Sequence, residues 1–145
     1  MRLGPLRSNE EPMTSEHEDR VAELAVEVLD SFEKLEILLV LAHATIAIPL
    51  EPLAAALALD RGDAIAELDA LVRHGVMVSG PDGYSLVYDG AWTGHVRSLV
   101  ALHRIDRLRV VTLMAKASVE RIRAYAARAL LDTPSRFGAK PERSD

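Results

Sequence analysis

The stretch AIAELDALVRHGVMVSGPDGYSLVY, residues 64–88, decides the fold. Its first half places Ala64, Ile65, Leu68, Leu71 and Val72 at three- and four-residue steps, the period of a helix with one apolar face. Gly75 follows the last periodic residue, where a helix ends on a left-handed glycine. Val76-Met77-Val78 then leads to the turn cluster Ser79-Gly80-Pro81-Asp82-Gly83. Beyond it Tyr84, Leu86 and Tyr88 alternate, so the second half reads as a β-hairpin.

Upstream, Asp60-Arg61-Gly62 separates this helix, expected to begin at Asp63, from a short apolar one, EPLAAALAL. Glu51-Pro52 suits the first turn of that short helix, and Pro49 blocks any continuation from the β-prone linker Ile46–Leu50. Before the linker lies LEILLVLAHA, for which Asp30 or Ser31 is the candidate cap and Glu33 a first-turn carboxylate that suits the helix dipole. From Glu18 to about Leu29, Val21, Leu24, Ala25 and Val28 form another apolar face, joined to the next helix either as one bent helix or as two.

The order helix, helix, helix, hairpin is that of a winged helix. Residues 30–88, reading FEKLEILLVLA, PLEPLAAALAL, AIAELDALVRHGVMVS and GYSLVY in turn, resemble bacterial winged-helix transcription regulators of the MarR/PadR type. Asp30-Ser31-Phe32-Glu33-Lys34-Leu35-Glu36 is also similar to the DSxEKLE start of a largely uncharacterised bacterial group with a long C-terminal helix. The resemblance implies a homodimeric, non-catalytic regulator of transcription that reads DNA with its third helix and wing.

The 145 residues suit one domain, and 49% hydrophobic with 27% charged residues is a globular composition. The expected division is a flexible tail over 1–17, a winged-helix domain over 18–90, a long helix over 91–132 and a second tail over 133–145. Met13 is a candidate true start, since no periodicity precedes it. No apolar run reaches the roughly 20 residues of a membrane span. The first residues also lack the apolar core of about 7–15 residues of a secretory signal, so a cytoplasmic location is expected.

Residues 91–132 contain no proline and only Gly94. Leu102, Ile105, Leu108, Val111, Leu113, Met114 and Ile122 spread around the helix, and a helix apolar on most sides needs two neighbours. The expected neighbours are the body and the same helix of a second subunit, as in the resembled class, which makes those seven residues the candidate dimer contacts. RVVTLMA taken alone also reads as a buried strand.

Charge divides the chain. Residues 1–90 hold six Lys/Arg against seventeen Asp/Glu, and residues 91–145 hold eleven against five. A basic end implies nucleic acid or charge matching with the acidic body. Matching is the favoured reading, with Asp106 to Arg109 and Glu120 to Arg123 as local examples, because no aromatic residues interleave with the cations.

If the third helix enters a major groove, Asp63, Ala66, Glu67, Asp69, Ala70 and Arg73 face the bases, and that surface repels phosphate. Arg61, Arg73, His74 and Tyr84 are the candidate DNA contacts. The acidic face also supports an alternative, a protein-interaction adaptor whose winged helix has lost DNA reading. Trp92 and Tyr88 are expected to plug the joint between body and last helix.

The histidines, His17, His43, His74, His95 and His103, lack metal-ligand spacing, and with no cysteine the chain has no thiol site. No cofactor or metal is expected. A nucleophile elbow, a phosphate loop and an HExxH helix are absent from the sequence, so the chain is expected not to be an enzyme.

Overall fold

The computed structural model describes the backbone of residues 3–132 and the side chains of residues 15–131; the expected tail over 133–145 lies outside the described residues. The chain is mainly helical with a small two-stranded antiparallel hairpin. Its order is α1 (Leu3–Glu27), α2 (Phe32–Ala42), α3 (Leu50–Ala56), α4 (Arg61–Arg73), β1 (Met77–Gly80), β2 (Gly83–Leu86), α5 (Thr93–Ile105) and α6 (Arg107–Asp132).

The open question between α1 and α2 resolves as two helices. Ser31 sits extended at the head of α2, and its hydroxyl accepts from the Lys34 amide at 3.1 Å. Pro49 precedes α3, and the linker before it is extended enough for Ile48 to pair with Tyr84 across two backbone hydrogen bonds of 3.0 and 2.8 Å. That pairing sets a third short stretch beside the hairpin. It also explains Gly83, whose φ is +127° and whose Cβ, had it one, would run into the Ile48 carbonyl.

The α4 helix starts at Arg61, two residues before the expected Asp63, because Asp60 caps it by accepting from the Asp63 amide at 2.8 Å. At its far end Gly75, φ +81°, closes a Schellman motif. The Val76 amide reaches the Leu71 carbonyl at 3.2 Å and the Gly75 amide the Val72 carbonyl at 3.0 Å. The expected core face holds, with Ala64, Leu68 and Leu71 buried and Ile65 and Val72 half-buried.

Two expectations about the ends of the chain need correction. The stretch 1–17 is helical from Leu3, and His17 is tied into the fold by a 3.0 Å contact between its Nδ1 and the Ser98 hydroxyl. The long helix over 91–132 is two helices broken at Asp106, whose backbone is extended (φ −153°, ψ 85°). The Asp106 carboxylate accepts from the Arg109 amide at 3.1 Å and so caps α6.

The chain reverses at that break. On α1, His17 meets Ser98 and Glu23 meets His95, whereas Glu18 meets Arg109 and Ala25 meets Arg121. Rising numbers on α1 therefore face falling numbers on α5 and rising numbers on α6, so α5 runs antiparallel to both α1 and α6 and the three share one core. Val21 and Leu24 of α1, with Val28 just beyond it, pack with Leu99 and Leu102 of α5 and with Val110, Leu113 and Met114 of α6. RVVTLMA is helical.

Candidate functional site

The expected DNA contacts lie on α4 and β2, and the structure separates them. Arg61 in the first turn and Arg73 in the last stand about 18 Å apart along the axis. Arg61 is ion-paired with Glu51 of α3, so its charge is met within the protein. Tyr84 is half-buried in the hairpin and packs against the core rather than projecting from it. Arg73 and His74 are exposed at the C-terminal end of α4.

Between those ends the exposed face is acidic. Asp60, Asp63 and Asp69 are all exposed, and the charge of Asp60 pushes the Asp63 carboxyl above its ordinary value, with Glu67 and Glu33 adding to it. A carboxyl whose neighbours resist its ionisation marks a concentration of negative field that phosphate would strengthen.

Glu67 is not on that face. Lys34, 7% exposed, places its Nζ 2.6 Å from Glu67 Oε1 and 2.8 Å from Asp30 Oδ1, and the Ser31 hydroxyl donates to the same Glu67 oxygen at 3.2 Å. Burial alone would lower the Lys34 ammonium and raise the Asp30 carboxyl. The hydrogen bonds and charges they exchange reverse both, leaving lysine above and aspartate below the ordinary value. Thus Asp30, Ser31 and Lys34 of the DSxEKLE stretch lock the start of α2 to α4. The signal in the sequence was the four-residue spacing of Asp30 and Lys34, an ion-pair distance on any helical turn.

The basic end meets the acidic body at Arg109, whereas the expected local pairs Asp106–Arg109 and Glu120–Arg123 form no ion pair among the described residues. Arg109 pairs with Glu18 at 3.1 Å, and Arg121 caps α1 by donating to the Ala25 and Val26 carbonyls at 2.7 and 3.2 Å. Among the described residues, Arg97, Arg104, Arg107, Lys116, Arg123 and Arg128 form no ion pair.

The candidate dimer residues divide in two. Leu102, Leu113 and Met114 are buried in the core of their own chain and are unavailable to a partner. Ile105, Leu108 and Ile122 are exposed, and Val111 is half-buried beside a cleft of about 280 Å³ between α6 and the α1–α2 corner. Phe32, which the sequence reading passed over, projects at that cleft.

Trp92 fills the joint before α5, its ring edge-on to His95 at 4.7 Å, but Tyr88 is exposed and does not share that role. His103 beside Arg107 and His43 is held below the ordinary histidine range, by burial first and those charges second. Among the described residues no three His, Asp or Glu side chains converge as a metal site requires, and no helix is long and apolar enough to cross a membrane. No model of a known family matches the chain, and neither does any curated protein or solved structure.

Proposed function

We propose that the chain is a non-catalytic, cytoplasmic module of winged-helix build, homodimeric, that docks a protein through the exposed face of α4 rather than reading DNA with it. The winged-helix reading draws on the run α2, α3, α4 and hairpin, with Ile48 beside Tyr84 as the short extra strand. The observation that carries the docking reading is the charge of α4. Asp60, Asp63 and Asp69 face solvent, while Arg61, the one cation at the helix head, is neutralised by Glu51. Phosphate contacts supply most of the affinity for a duplex, and a face of this sign lacks them. A basic protein surface gains from the same field.

Random-sequence duplex DNA, titrated by fluorescence anisotropy at low and moderate salt, tests this. The expected result is no salt-sensitive binding. Binding that collapses with salt and is weakened by Arg73→Ala supports the regulator reading instead, for which the exposed Arg73 and His74 beside the hairpin are the favourable observation. For the docking reading, Asp63→Lys and Asp69→Lys abolish retention of a basic protein partner while Arg61→Ala does not.

A further inference from the structure

Among the described residues, one side of α6 is buried in the core of its own chain. Val110, Leu113, Met114 and Ala117 face the core. About a third of a turn away runs a second row, Leu108, Val111, Ala115, Ser118, Ile122 and Tyr125, at steps of three, four, three, four and three, the spacing of a coiled-coil seam. Leu108, Ile122 and Tyr125 are 73%, 65% and 73% exposed. From Ile122 to Leu131 every residue is exposed.

We infer that this row is the seam of a symmetric antiparallel pair of α6 helices, one from each copy; this rests on the homodimer proposed above and assigns its register. The steps read the same in both directions, so a two-fold axis maps the row onto itself. Leu108 then meets the partner's Tyr125, Val111 the partner's Ile122, and Ala115 the partner's Ser118. Small residues fall at the centre, where the helices approach most closely, and large ones at the two ends. The partner's Ile122, opposite Val111, enters the 280 Å³ cleft that Phe32 and Leu29 line, and covers Phe32. Phe32, Leu108, Ile122 and Tyr125, all more than half exposed in the single chain, are the large apolar side chains that the pairing covers.

Because the chain has no cysteine, introduced thiols report the pairing directly. Under mild oxidation, Leu108→Cys/Tyr125→Cys is expected to give a covalent dimer and Leu108→Cys alone none, since two copies of residue 108 lie about 25 Å apart in the antiparallel register. Ile122→Glu is expected to raise the dimer dissociation constant at least about tenfold with an unchanged circular dichroism spectrum. Cross-linking by Leu108→Cys alone means a parallel pair and overturns the register. A dimer by sedimentation that neither variant cross-links, or that Ile122→Glu leaves intact, overturns the seam while the homodimer stands. A monomer at tens of micromolar, roughly the range of weak association, removes both.

Discussion

Helices α4 and α6 are both amphipathic and both charged, yet one is completed by its own chain and the other is not. The Asp60 cap, the Schellman turn at Gly75 and the Lys34–Glu67 bond fasten α4 at both ends and at its middle. On α6 the side-chain bonds to α1 are those of Arg109 and Arg121, and Leu108, Ile122 and Tyr125 remain exposed. On the proposed pairing, changes in α4 act on the stability of the single chain, whereas changes in the outer half of α6 act on association.

That contrast breaks most visibly at Leu68. It is fully buried beneath α4, and Leu68→Ala should cost about 2–5 kcal/mol in urea unfolding, independent of protein concentration. Lys34→Met comes next, at about 2 kcal/mol, because it leaves Glu67 without its cation and the Ser31 hydroxyl as its remaining bond.

The same cluster fixes a pH dependence. The lowered Asp30 contributes stability above its unfolded value and loses it as pH falls through its folded one. The raised Lys34 contributes below its unfolded value and loses it as pH rises through its folded one. Unfolding free energy in wild type should therefore fall at both the acid and the alkaline extreme, and the alkaline fall should vanish in Lys34→Met.

Asp60→Ala should cost about 1 kcal/mol through the lost cap, seen as an earlier urea midpoint. Smallest are Arg61→Ala, which removes an exposed ion pair, and Tyr125→Ala in the dissociated chain, each within about 0.5 kcal/mol. A large concentration-independent loss for Tyr125→Ala would erase the distinction between the two helices.

The features of the run from α2 to the hairpin were legible because they are local. Gly75, Ser31, Pro49 and the Pro81-Asp82 turn act on their immediate neighbours, and each signal lies within a few residues of its effect. The break at Asp106 was not legible, for two reasons. No glycine or proline marks it, and Leu102 and Leu113 are eleven residues apart, about three turns, so the apolar face keeps its phase across the reversal. The one sign was Asp106 three residues before Arg109, a spacing shared by an ion pair and a helix cap, and it is the cap that forms.

The site was less readable than the fold. Glu67 belongs by periodicity to the outward face of α4, and only the arrival of α2 turns it inward. Paired Arg61 and half-buried Tyr84 show the same thing, since in both the decisive neighbour, Glu51 or Ile48, comes from a separate element. Phe32 escaped notice because its neighbours in the cleft lie some eighty residues away on α6.

The lock between Lys34 and Glu67 also bears on how this surface can evolve. Because Glu67 is committed to holding α4 in place, drift there is constrained by folding and carries no information about what the protein touches. Asp63, Ala66, Asp69 and Arg73 carry no such duty, so a lineage could exchange one partner for another at those positions while its scaffold stayed unchanged.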